Sequence, residues 1–145
     1  MADTRVQLEI EDWVRKNWMP KEYGIQFQRE RVSLTSGGVF DFDAVSTDLT
    51  IAATISTSGA TTASGKSAVG KLLKIRSDML FLLLAKVNRR LVVLTESDMY
   101  ARCLKEREGG RVPPEIEFVC ADIPSDLRQR LLKARAISSK EVSPQ

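Results

Sequence analysis

The chain contains no histidine at all. That excludes histidine-based catalytic triads, histidine general bases and histidine-containing zinc sites. Its two cysteines, Cys103 and Cys120, are too few for a disulfide framework and stand at no metal-ligand spacing, so both read as ordinary reduced thiols. Long apolar runs are missing too. The longest, Met79 to Ala85, falls far short of the ~20 residues a membrane-spanning helix needs. The first residues are polar, charged and amphipathic, with no signal-peptide pattern, so the expectation is a cytoplasmic protein with no membrane partner. No internal repeat or interdomain linker interrupts the chain.

What is present suits one compact domain. A length of 145 residues, with 43% hydrophobic and 28% charged residues, allows one substantial core. The expected domain covers residues 1–137, and residues 138–145 read as a flexible tail. A formal charge of +3 says little, but its distribution says more. Residues 1–59 carry 6 Lys/Arg against 9 Asp/Glu, a net of −3, whereas residues 60–145 carry 16 against 10, a net of +6. A basic half of this kind suits a phosphate backbone, and equally suits ordinary solvated helix faces.

Periodicity then sets the element order. Val6, Ile10, Trp13 and Val14 recur at helical spacing, with Thr4 and Gln7 as a capping box and Pro20 as the expected stop. Three strand-like pieces follow: Ile25 to Leu34, Val39 to Val45 and Leu49 to Ser56, with turns at Gly37-Gly38 and Thr47-Asp48. Connections this short predict a meander. A Ser/Thr-rich loop over 57–64 leads into a long helix expected over 65–86, with Lys71, Lys74 and Asp78 close together on one side. Leu91 to Leu94 reads as a buried strand, Thr95 as the cap of a further helix, Glu115 to Cys120 as a strand, and Ser125 as the start of a basic final helix. The order α-β-β-β-α-β-α-β-α implies an α/β fold with a mixed central sheet between helices.

Two carboxylates carry the chemistry. Residues two apart on a strand point the same way, so Asp41 and Asp43 share one face while Phe40, Phe42 and Ala44 share the other. Thr54 and Ser56 share a face of the next strand, opposite Ala53 and Ile55. A metal-dependent phosphodiesterase needs carboxylates near the scissile phosphate, and a cation to activate water or offset developing charge. Asp41 and Asp43 supply the acids; Thr54 and Ser56 cannot supply the rest. The bland alternative is that both aspartates lie on a solvated face or accept turn hydrogen bonds.

Here the chain resembles the PD-(D/E)xK superfamily of restriction-endonuclease-like nucleases. Their α-β-β-β-α-β core matches residues 4–94, with additions toward the C-terminus. Asp43, in Phe42-Asp43-Ala44, stands at the first acid, with Phe42 in place of the preceding proline. The acid-x-lysine element falls on Thr54-Ile55-Ser56, where neither chemical residue is kept. The resemblance implies either a degenerate site or one rearranged to draw an acid from the first helix, Glu9 or Asp12, and a lysine from the following helix, Lys66, Lys71 or Lys74. A rearranged site would bind Mg2+ or Mn2+ through Asp41, Asp43 and Glu9, with Asp43, Lys66 and Lys71 in catalytic roles. The degenerate form implies a nucleic-acid-binding or protein-interaction role.

Two further features remain. Ala60 to Ser67 reads like a relaxed phosphate-binding loop, with Gly65, Lys66 and Ser67 in the final positions and alanine replacing the first glycine. It opens a nucleoside-triphosphatase alternative. Lys71, Lys74, Arg89, Arg90, Arg128, Arg130, Lys133 and Arg135 form a candidate surface for DNA or RNA, whose contribution would be salt-sensitive affinity more than base recognition. A protein partner or a homodimer, joined through a sheet edge or the aromatic first helix, is the other expectation.

Overall fold

The structure is a computed structural model; it describes residues 5–61 and 65–142, with side chains described through Ala136. Five strands form one sheet in sequence order: β1 (Phe27–Ser33), β2 (Val39–Ser46), β3 (Ile51–Ser56), β4 (Arg89–Leu94) and β5 (Ile116–Cys120). The first three are antiparallel, while β3, β4 and β5 run parallel. The parallel steps need crossovers, supplied by α3 (Val69–Leu84) and α4 (Ser97–Glu108). The N-terminal helices α1 (Arg5–Trp13) and α2 (Met19–Tyr23) and the final α5 (Ser125–Val142) complete the helical layers. This is a mixed sheet flanked by helices, and its order matches a generic restriction-endonuclease-like topology.

Burial explains why the central strands carry so little polarity. From Ile51 to Ile55 and from Leu91 to Leu94 every residue is buried, as expected for strands covered on both faces. On one face Phe42, Val45, Ala52, Val92 and Leu94 pack with Leu72, Ile75 and Met79 of α3 and Met99 and Cys103 of α4. On the other, Ala44, Ala53, Ile55, Leu91 and Val93 pack with Val6, Ile10 and Val14 and with Leu127 and Leu131 of α5. Phe42 is fully buried, a side chain whose removal from water stabilises the fold by roughly 1.5–3 kcal/mol.

Several sequence expectations change here. The proposed cap at Thr4 lies outside the described residues. The first helix does not stop before Pro20: a π-helical turn (Val14–Trp18) links α1 to α2, the Met19 N–H reaches back to Val14 O, and Pro20, which has no N–H to donate, falls where the π-helical turn hands over to α2. Gly24 ends α2 at φ 70°, its N–H returning to Pro20 O. The long helix expected over 65–86 shrinks to Val69–Leu84. Gly65 has φ 85°, and the Ala68 N–H goes back to Ala60 O, so the chain before Val69 folds onto the preceding loop. Thr95 does not cap α4; Glu96 stands at that position, while Thr95 Oγ1 bonds Ser56 O and Glu96 Oε2. The final helix α5 runs from Ser125 to Val142.

The most consequential change is in β2. Gln28 pairs with Val45 and Glu30 with Phe42, so two steps along β1 match three along β2. The extra residue is a β-bulge at Asp43-Ala44. Alternation breaks there: Ala44 packs in the core opposite to that of Phe42, and does not share its face as simple period-two reading requires.

Candidate functional site

Asp43 sits in a fork. Beyond the Ala44–Ala53 and Val45–Ala52 pairs, β2 and β3 have no further register pairs among the described residues. The bulge and the divergence leave backbone groups without strand partners, and side chains take them up. Arg15, in the π-helical turn, donates to Asp43 O at 2.9 Å. The Asp43 carboxylate accepts the Ile55 N–H at 2.8 Å. Phe40 of β2 stacks on Phe81 of α3, with centroids 4.3 Å apart, so the diverging strand is held against the helix layer.

Three half-buried or buried carboxylates surround this fork. Burial, and then the neighbouring Asp43 charge, push Glu11 up to about 6, against the opposing pull of Arg15, Arg29 and Lys74. Asp78, buried on α3, is also raised, first by burial and additionally by Asp43, despite a hydrogen bond from Lys74 Nζ at 2.6 Å. Glu11 and Asp78 therefore each feel the Asp43 charge, with Arg15, Arg29 and Lys74 as the local cations. Raised carboxyls grouped in this way mark functional sites more often than chance, although structural ion pairs produce them too. Among the described residues no group of three or more Asp, Glu or Cys side chains is arranged to hold a metal ion.

The sequence-derived candidates scatter around this point. Glu9, the expected helix ligand, faces α5 and pairs with both Arg130 nitrogens at 2.6 and 2.7 Å, which holds its carboxyl below the ordinary range. Asp12 bonds Arg15 and Lys16, both at 3.1 Å. Asp41 is exposed, 3.5 Å from Arg29. Thr54 is buried and Ser56 half-buried on the strand next to Asp43. Lys71 and Lys66 are exposed on the α3 side. Glu11 was the residue missed. It and Glu9 flank the Val6-Ile10-Val14 stripe on opposite sides, so helical phase alone does not say which acid meets β2. The one available signal was Arg15, four residues after Glu11 on the same side.

The phosphate-loop expectation meets a different geometry. Residues 62–64 lie outside the described residues. Around them Thr61 bridges Ser67, and α3 opens only at Val69, so Gly65, Lys66 and Ser67 do not form the first turn of a helix. The basic candidates are mostly engaged within the fold. Arg89 meets Glu117 at 2.8 and 3.0 Å, and Arg90 donates to the Leu82 and Ala85 carbonyls at the end of α3. Arg128 and Arg135 converge on buried Glu96, at 2.7 and 3.0 Å, and also bond Thr95 O and Thr57 O. Lys71 and Lys133 are exposed and take no part in these pairs. Cys103 is buried, its thiol pushed up to about 11 by burial first, which suits packing and not nucleophilic attack.

No family model, no curated protein and no solved structure matches this chain. No described helix is long and apolar enough to cross a membrane.

Proposed function

We propose that this chain is a nuclease-like scaffold that has lost turnover and serves in binding. The carrying observation is what surrounds Asp43. The position of the acid-x-lysine element holds buried Thr54 and half-buried Ser56, and the Asp43 carboxylate is committed to the Ile55 N–H. An acid that a phosphodiesterase would use for metal binding is here part of what closes the β2–β3 fork. The extensive internal pairing of Arg89, Arg128, Arg130 and Arg135 also favours a narrower nucleic-acid surface than the sequence suggests, centred on exposed Lys71 and flanked by Lys74, which pairs with Asp78 yet stays largely exposed. The test is cleavage of single- and double-stranded DNA and RNA with Mg2+ or Mn2+, wild type beside Asp43→Asn. No cleavage by folded protein is expected; cleavage that disappears in the variant would overturn the reading.

A rearranged metal-dependent phosphodiesterase is the second reading, and one observation favours it. Glu11 and Asp78, from helices on opposite faces of the sheet, both respond to the Asp43 charge, and Lys74 stands with them. In that arrangement Glu11 and Asp43 would hold the cation and Lys74 would offset charge on the leaving or attacking oxygen. Its signature is turnover lost equally in Glu11→Gln and Asp43→Asn.

A further inference from the structure

The surface most in need of a partner lies far from Asp43 in character. Along α3, Val69, Leu73 and Leu80 are each more than half exposed, at 57%, 52% and 54%. With Arg76 they fall at spacings of four, three and four, which is one continuous helical flank. The buried face of the same helix, Leu72, Ile75, Met79 and Leu82, is separate and already packed. Gly70 and Ser77 beside the stripe are exposed and small, so nothing on α3 shields it.

The stripe borders a charge imbalance. Arg76 crosses to α4 and bonds Glu106 Oε1 at 2.9 Å; Arg102 stands 3.6 Å from the same oxygen, and Arg111 stands 3.5 Å from Oε2. Three guanidiniums share one carboxylate, leaving a local net charge of +2. Glu106 is 7% exposed, and its Oε2 has no hydrogen-bond partner among the described residues, so even this counterion is incompletely used. The arginine side chains remain accessible, with 44%, 45% and 71% of their surface exposed. Each guanidinium carries five N–H donors, far more than one carboxylate accepts. The cleft beneath, lined by Leu72, Ile75, Met79 and Phe118, encloses about 10 Å³, room for a single water and not for a small-molecule ligand.

We propose that this flank of α3, with Arg76, Arg102 and Arg111 beside it, docks an acidic amphipathic segment of a partner protein. Apolar anchors at helical spacing beside cations in excess of their one shared carboxylate match a helix with leucine-like residues on one side and carboxylates next to them. A second copy of the chain is disfavoured by the same charges, because a two-fold contact sets the two arginine clusters on one interface. Nucleic acid would serve the arginines and leave the leucines wet. The docking does not depend on whether Asp43 supports turnover, so its failure and that of the catalytic reading are separable.

The experiment uses the full chain and a synthetic amphipathic helical peptide of about four turns, with Leu on one face and Glu flanking it, followed by fluorescence anisotropy. Its control replaces every Glu by Lys, and a short DNA duplex is run in parallel. Binding of the acidic peptide alone is expected, weakened by salt and weakened at least about tenfold by Leu73→Ala with Leu80→Ala. Arg102→Ala with Arg111→Ala should have a similar effect while retaining the Arg76–Glu106 pair. Should that variant unfold, the leucine variant still decides, since both side chains are more than half exposed. Equal binding of the lysine peptide, indifference to the leucine variant, or no binding of the acidic peptide at millimolar concentration overturns the proposal. Preferential binding of duplex, or self-association abolished by the leucine variant, overturns it in favour of those occupants.

Discussion

Glu96 and Glu11 are both withdrawn from water, and the protein treats them oppositely. Glu96 stands where β4 ends and receives a guanidinium on each oxygen, from Arg128 and Arg135, so its burial is compensated. Glu11 stands against the fork, where the largest influence after burial is another negative charge, Asp43. The first arrangement ties α5 to the carboxyl ends of the parallel strands. The second stores unfavourable electrostatics at the junction of β2, β3, α1 and α3. Compensated acids are what a fold uses to hold itself together; uncompensated ones need a reason beyond stability.

The comparison can be broken most forcefully at Glu96. Glu96→Ala leaves two arginines facing a largely buried vacancy, and should cost about 3 kcal/mol in urea denaturation at neutral pH. A loss below about 1 kcal/mol would show that the pairing is not what fixes α5.

Glu11→Gln should act in the other direction. The folded carboxyl is raised from 4.5 to about 6, so the ionised form is the one the fold disfavours. The native Glu11 therefore costs nothing below pH 4.5 and progressively destabilises the fold as pH rises through about 6. The variant should match wild type in acid and exceed it by about 1 kcal/mol at pH 7, a figure reduced for partial solvent screening. Denaturation midpoints measured across that window would decide; a gain that is independent of pH would contradict the electrostatic account.

The smallest effect sharpens the cause. Asp43→Asn keeps an acceptor for the Ile55 N–H and removes only the charge, so the Glu11 titration followed by NMR should move down without reaching 4.5, because burial is the larger contribution. No movement would separate Glu11 from Asp43 altogether.

Much of the architecture was legible from periodicity. The strand and helix order, the Gly37-Gly38 turn and the start of α5 at Ser125 all follow from local pattern and turn chemistry. The site was harder to read for definite reasons. Period-two alternation cannot announce a bulge, so Ala44 was assigned to the face of Phe42. Helical phase sets Glu9 and Glu11 symmetrically about the apolar stripe; α5 engages Glu9 through Arg130, a pairing the sequence does not show, and Arg15 is the one local signal on the side of Glu11. Arginine counts suggested a broad basic surface, whereas carboxylates distant in sequence, Glu9, Glu96 and Glu117, occupy much of it. Pairings over such separations are invisible until the chain is folded.

The bulge at Asp43-Ala44 makes β2 behave like a text with one inserted letter. Before it, Phe40 and Phe42 are read out toward α3; after it, Val45 is read out toward the same side at odd spacing. Strict alternation without the extra step would turn Val45 toward α1 and Ala44 toward α3; removing one residue there would instead restore a regular strand that keeps Phe42 and Val45 on the α3 side and Ala44 on the other. A substitution at Asp43 changes one side chain, but a deletion keeps the frame and takes out the bulge, and the fork with it.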